Sequence, residues 1–270
     1  MPTVSVNGET LHYVREGRGP AVVFVHYLGA HSRMWRRQID ALKDRFDCIA
    51  FDQRGCGFST FNGRWDVPTG ADDLKAGLDA IGVPSAHFVS YSLGGPVMLS
   101  FAARWPAMVR SLMLIDTFAR NHKHSADRIA ESEKCLRYMS MREYARQYAA
   151  ARLMPSVPQA MVDDVVAGYC LVRKEAYLDS VRGILTPDFT ELCGKVTAPT
   201  LVVCGRLDLT TPVDYTSDLT RLIPGARETI IEAAHLGIWE NPEAFDRVVI
   251  DFLDGQQAGT QNPVRPARIT

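Results

Sequence analysis

The stretch Phe88-Val89-Ser90-Tyr91-Ser92-Leu93-Gly94-Gly95 constrains this chain more than any other. Ala86 to Val89 is a short apolar run of the kind that forms a buried strand. Pro96 to Trp105 has the apolar spacing of a helix, with Pro96 tolerable in a first turn. Between them the backbone must fold back on itself within a few residues, and Ser90 and Gly94, two places either side of Ser92, are small enough to permit it. The helix that follows aims free N–H groups at the space beside the serine. Small residues around a serine also occur in ordinary turns, so the octapeptide needs its context.

That context is an alternation of strand and helix. Thr3–Val6 and Thr10–Val14 alternate apolar and polar residues around Asn7-Gly8, a pair that supplies the positive φ angles of a tight hairpin turn. Ala21–His26 reads as a strand buried on both faces, and Phe46–Phe51 as the next strand after a helix over Ser32–Leu42. The glycine-punctuated loop Asp52-Gln53-Arg54-Gly55-Cys56-Gly57-Phe58-Ser59 and a helix over Asp72–Ile81 lead to the central strand. Val109–Ile115 is the next strand, ending at Asp116. Such alternation implies a mostly parallel sheet flanked by helices.

From Thr117 to Leu185 the alternation stops. Lys134–Leu153 and Gln159–Val172 read as helices rich in Met, Tyr, Ala and Arg, and the segment reads as a helical insertion. The rhythm resumes with a strand over Thr200–Cys204, a helix over Val213–Leu222, a strand over Arg227–Ile231 and a helix over Pro242–Leu253. The expected organisation is a core of residues 1–116 and 186–254, an inserted cap over 117–185, and a disordered tail over 255–270, rich in Gly, Gln, Pro and Arg.

Composition narrows the function classes. A formal net charge of -1 gives no reason to expect nucleic acid or an anionic membrane as partner. No apolar run approaches the roughly 18 residues of a membrane span. The N-terminal residues lack a basic and then apolar export signal, so a cytoplasmic location is expected. The six cysteines form no C-x-x-C pair and are expected to be reduced thiols. His122 and His124 lie close together, but further ligands at metal-site spacing are lacking, so no metal is expected.

Nucleophilic acyl transfer needs a serine, a histidine base and a carboxylate that fixes the imidazole tautomer. Asp208 follows one predicted strand, in the glycine-containing loop Gly205-Arg206-Leu207-Asp208, and His235 follows the next. With Ser92 they stand at the C-terminal ends of three strands, where open parallel sheets place their sites. Asp116 also follows a strand and competes for the acid role.

Four motifs stand in order: His26-Tyr27-Leu28-Gly29, Asp52-x-Arg54-Gly55-x-Gly57-x-Ser59, Ser90-x-Ser92-x-Gly94-Gly95, and Gly205-x-x-Asp208 followed by Ala234-His235. Together they resemble the α/β-hydrolases with a helical cap. Ala233-Ala234-His235-Leu236, leading to Glu240-Asn241-Pro242-Glu243, resembles the 3-oxoadipate enol-lactonase and small-carboxylesterase group in particular. The resemblance implies an α/β-hydrolase fold and a serine hydrolase acting on a small ester or lactone without a cofactor. Carbon–carbon hydrolases of the meta-cleavage type, cofactor-free haloperoxidases and sensors that keep the triad share much of the pattern and stay open as alternatives.

By the same resemblance Ser92 is the nucleophile, His235 the base and Asp208 the acid, ahead of Asp116. The N–H groups of Leu93 and Leu28 form the oxyanion hole. Tyr27 stands where such loops usually carry glycine. Tyr27, Tyr91 and Trp239 are the expected substrate contacts, and His26 braces its loop. Met139, Met141, Met154, Tyr138, Tyr144 and Tyr148 are cavity or packing residues of the insertion. Its eleven Lys or Arg against eight Asp or Glu, a formal +3, suit either an anionic substrate or a solvated surface.

Overall fold

The computed structural model describes residues 2–120, 125–150 and 152–258. His122, His124 and the expected tail beyond residue 258 lie outside the described residues.

The eight strands are β1 (Thr3–Val6), β2 (Glu9–Gly17), β3 (Ala21–Val25), β4 (Asp47–Phe51), β5 (Ala86–Tyr91), β6 (Val109–Ile115), β7 (Thr200–Gly205) and β8 (Arg227–Ile231). They form one sheet in the order β1-β2-β4-β3-β5-β6-β7-β8. β1 and β2 are antiparallel to their neighbours, and every later pairing is parallel. The hairpin between β1 and β2 turns at Asn7 (φ 49°) and Gly8 (φ 77°), the positive angles that Asn-Gly supplies at least strain. β5 is buried at every position and β3 at all but its first. That double-sided burial accounts for their unbroken apolar sequence.

The helices differ from expectation mainly at their ends. The one expected over Asp72–Ile81 begins at Val67, five residues earlier, because Asp66 accepts a capping hydrogen bond from the Thr69 N–H (2.8 Å) and Pro68 is harmless in a first turn. The helix after Ser92 starts at Gly94, ahead of Pro96. The last helix runs over Pro242–Ala258, so residues 255–258, expected in a disordered tail, are helical.

Between β6 and β7 lie helices Ser125–Tyr138, Met141–Ala150, Gln159–Tyr169 and Lys174–Leu185. The single helix expected over Lys134–Leu153 is two, and Lys174–Leu185 was not foreseen. The break falls at Ser140, which forms a reciprocal cap with Glu143: Ser140 N–H donates to the Glu143 carboxylate (2.8 Å) and Glu143 N–H to the Ser140 hydroxyl (3.2 Å). At the base of the segment, Phe189 N–H donates to Ala119 C=O (2.8 Å). Among the described residues no helix is long and apolar enough to cross a membrane, and all six cysteines are free.

The loop after β4 is a structural brace. Asp52 is fully buried, accepts from the N–H groups of Ser32 (2.6 Å) and Phe58 (3.0 Å), and pairs with His12 (2.8 Å). Arg54 donates two hydrogen bonds to Asp73, each 2.6 Å, tying the loop to the helix over Val67–Ala80.

Candidate active site

β5 delivers Ser92 into a turn that only small neighbours allow. Ser92 has φ +48°, in the left-handed region that costs a non-glycine residue energy. Three hydrogen bonds hold it there. Ser92 N–H donates to Ile115 C=O (2.8 Å), while the Thr117 hydroxyl (2.6 Å) and Gly95 N–H (2.8 Å) donate to Ser92 C=O. A Cβ on Gly94 would stand 2.8 Å from the Val25 carbonyl oxygen and 3.3 Å from the Ser90 Cβ, and one on Gly95 would collide with Thr117. Serine is accepted at position 90 because its hydroxyl turns aside to donate to Met113 C=O (3.0 Å).

His235 follows β8 and Asp208 follows β7. The imidazole Nδ1 lies 2.7 Å from Asp208 Oδ2, and Nε2 lies 3.2 Å from Ser92 Oγ. Ser92, Asp208 and His235 are 8%, 3% and 4% exposed. Burial pushes the Asp208 carboxyl up. The adjacent His235, the Thr211 hydroxyl (2.6 Å) and the Thr211 N–H (3.0 Å) more than offset it and hold the group below its usual range. An ionised Asp208 accepts the Nδ1 proton and leaves Nε2 free to accept from the serine hydroxyl.

Asp116 does not touch the imidazole. Its Oδ1 accepts from Gly205 N–H (2.7 Å), and Oδ2 lies 2.7 Å from the Tyr91 hydroxyl, which is also 2.9 Å from His235 C=O. Burial first, and Asp208 second, hold the Asp116 carboxyl well above its usual range. The geometry agrees with a neutral acid. Tyr91 has one proton for two acceptors, whereas a protonated Asp116 donates to the phenol oxygen and frees the phenol proton for His235 C=O. Oxygens of Asp116 and Asp208 converge with the Cys204 sulfur to within 4.8 Å, yet each group already has hydrogen-bond partners.

The remaining expected contacts separate. Leu93 caps the helix over Gly94–Arg104 and Leu28 lies in the loop after β3; neither backbone N–H has an acceptor among the described residues. Tyr27 lines the Ser92 cavity, and its φ is not positive, so the lost glycine leaves the backbone path open. The positive φ of this loop is at Gly29 (+89°), where a Cβ would collide with the Tyr169 ring. His26 braces the loop as expected: Nδ1 lies 2.9 Å from Tyr27 C=O and Nε2 accepts from Gln53 N–H (3.1 Å). Tyr91 does not line the Ser92 cavity. It is fully buried beneath the site, where its hydroxyl is held by Asp116 and His235. Trp239 lines a neighbouring chamber of about 260 Å³ with Tyr27, not the Ser92 cavity.

The cavity at Ser92 and His235 is small, about 30 Å³, and is roofed by Tyr148, Arg152, Val165 and Tyr169 of the inserted segment. Arg128, Tyr148, Arg152 and Thr210 also line an outer chamber of about 360 Å³. Tyr144 and Tyr148 stack face to face at 4.8 Å, whereas Tyr138 is 81% exposed and points away. Sequence reasoning missed Thr211, Arg128 and Arg152, and gave Glu240 a place in a motif but no role. Glu240 accepts from Ala234 N–H (2.5 Å) beside His235 and from Met154 N–H (2.7 Å) of the insertion. Only Thr211 had a local signal, a hydroxyl residue three places after an aspartate.

The comparisons with known proteins agree with this architecture. Residues 20–147 match the family model described as alpha/beta hydrolase fold. A protein of Variovorax paradoxus named as a carbamate hydrolase, RutD, is 30% identical over 265 residues, covering 90% of this chain and 96% of its own. The 3-oxoadipate enol-lactonase 1 of Acinetobacter baylyi is 25% identical over 261 residues, 93% of this chain and 95% of its own. The crystal structure of an enol-lactonase from Burkholderia xenovorans superposes with a TM-score of 0.87 at 25% identity, covering 94% of this chain and all of that one. The chain belongs to the α/β-hydrolase family and is a hydrolase.

Proposed function

We propose that the protein hydrolyses a small ester or lactone through an acyl-enzyme on Ser92. The observation that carries this reading is the unbroken chain from Ser92 Oγ to His235 Nε2 (3.2 Å) and from His235 Nδ1 to Asp208 (2.7 Å). Ser92 Oγ attacks the carbonyl carbon as its proton passes to Nε2, and Asp208 stabilises the imidazolium. The oxyanion is held by the N–H groups of Leu93 and Leu28. His235 returns the proton to the departing alkoxide. Water, deprotonated by the same nitrogen, then releases the acid and restores the serine. The insertion over 117–185 acts as a cap. The cavity beside Ser92, about 30 Å³ against about 360 Å³ for the outer chamber, favours a compact group next to the scissile carbonyl. Relatives are named for hydrolysis of an enol-lactone and of a carbamate, carbonyl compounds of the same general kind.

The test pairs wild type with Ser92→Ala. A fluorophosphonate probe should label wild type alone, and turnover of p-nitrophenyl esters and lactones should fall by about 10⁶-fold in kcat. Equal labelling of both proteins overturns the assignment.

A further inference from the structure

Two arginines of the insertion stand where the Ser92 cavity meets the outer chamber. Arg128 and Arg152 line both spaces, and between them lies Tyr148. The Arg152 guanidinium stacks on the Tyr148 ring, 3.2 Å from its centroid, and donates to Tyr148 C=O (3.2 Å). Both arginines are half-buried. Among the described residues neither has a carboxylate within 4.0 Å, whereas half of the other described arginines do. Two carboxylates of this region are committed or turned outward. Glu240 is used by two backbone N–H groups, and Glu131, on the wall of the outer chamber, is exposed to solvent. Their charge reaches Tyr148, whose hydroxyl they hold below its usual range against the opposing effect of burial.

Partly desolvated guanidinium groups without a counter-charge are costly, and an incoming anion removes that cost. The planar fork of arginine suits a carboxylate, which can accept from both nitrogens. We propose that Arg128 and Arg152 form an anion subsite, and that the substrate is an ester or lactone bearing a second, carboxylate group. The scissile carbonyl lies in the small cavity at Ser92, and the chain carrying the carboxylate passes Thr210 into the outer chamber. The inference rests on the Ser92 reading for the position of the carbonyl, but the anion site itself does not.

The experiment therefore has two arms. In the first, kcat/KM is measured for a p-nitrophenyl monoester of glutaric acid and for the same compound with its distal acid methylated. Wild type should prefer the acid by about 10- to 100-fold. Arg128→Gln and Arg152→Gln should each cut that preference about tenfold, chiefly through KM, with Arg152→Lys between. The preference is a ratio within one protein sample, so partial misfolding of a variant does not distort it. In the second arm, glutarate and inorganic phosphate are titrated calorimetrically into Ser92→Ala and into Ser92→Ala with Arg152→Gln. Glutarate should bind the first and be weakened in the second. A preference near one in wild type, with turnover still dependent on Ser92, overturns the subsite and leaves the hydrolase reading standing. Arginine-dependent glutarate binding without Ser92-dependent turnover does the reverse. Binding of phosphate in place of glutarate overturns the carboxylate assignment.

Discussion

The strand ends and the inserted helices meet across one cavity, yet they treat polar groups in opposite ways. At the strand ends the positioning groups are paired: Asp208 with His235 and Thr211, Asp116 with Gly205 and Tyr91, and the carbonyl of Ser92 with Thr117. In the insertion Ser132, Tyr144 and Tyr177 bond chiefly to one another, at 3.0 and 3.4 Å, and two arginines face the cavity without a carboxylate. Bond-making needs geometry held to fractions of an ångström, and a parallel sheet supplies it. Recognition needs groups left open to a ligand, and segments outside the sheet can carry them without disturbing Ser92, Asp208 and His235.

The strongest way to break this contrast is to exchange the two buried aspartates for asparagine. Asp208→Asn keeps the shape but offers an amide where the imidazole N–H needs an acceptor, so kcat should fall by about 10⁴-fold. Asp116→Asn replaces a neutral acid by a neutral amide that can still donate to Tyr91, so its loss should stay below about tenfold. Steady-state kinetics on one ester rank the two, and the opposite ranking would move the acid to Asp116.

A second difference appears on acidification. Burial, the larger influence, lowers the His26 pKa from 6.5 to about 4, and does the same to His87. Both sit in the sheet half, and both ring nitrogens of His26 are engaged, one as donor and one as acceptor. A depressed histidine pKa means that the folded state binds fewer protons than the unfolded one. Its contribution is complete above about pH 6.5 and is lost as the pH falls toward 4. The melting temperature should drop across that window, reflecting up to about 3 kcal/mol per histidine. His26→Gln should be less stable at neutral pH and show a flatter slope. An unaltered slope would remove His26 from the account.

Much of the sheet half was legible in sequence because its signals are local. Asn7-Gly8, the apolar strand runs and Ser90-x-Ser92-x-Gly94 each encode their geometry within a few residues, and Asp208 and His235 followed from position after a strand. Tyr91 could not be placed for want of side-chain direction: it neighbours Ser92 in sequence, but its hydroxyl is held beneath the site by Asp116 and His235. Arg128 and Arg152 were invisible as a pair, since only the tertiary packing of a helix and the turn at Arg152 brings them to one cavity. The break at Ser140 was legible. Ser140-x-x-Glu143 is a capping signature that a continuous helical reading passes over.

That cap supplies the next, smaller test. Ser140→Ala removes the acceptor for Glu143 N–H and should cost the helix over Met141–Ala150 about 1 kcal/mol. Hydrogen exchange should report faster opening there and little change in β5 or β6. Equal loosening of the strands would mean that the two halves do not open separately.

The smallest expected effect lies at the seam itself. Tyr27 follows β3 of the sheet half, lines the Ser92 cavity under the insertion, and precedes one of the two proposed oxyanion donors. Its ring meets Tyr91 edge to face at 5.7 Å, and it is 5% exposed, so most of its surface is spent on packing. Burial raises the hydroxyl above its usual range, so it stays protonated and neutral at working pH, with the Trp239 indole as its neighbour. Tyr27→Phe keeps the ring and removes only that hydroxyl. If the ring is the contribution, kcat and KM should both stay close to wild type. A hydroxyl aimed at the transition state would instead cost up to about 10²-fold in kcat, and one that binds substrate and transition state alike would raise KM alone. A tenfold fall in kcat, with circular dichroism unchanged, would make Tyr27 a side-chain donor to the reacting carbonyl and place part of the chemistry at the seam.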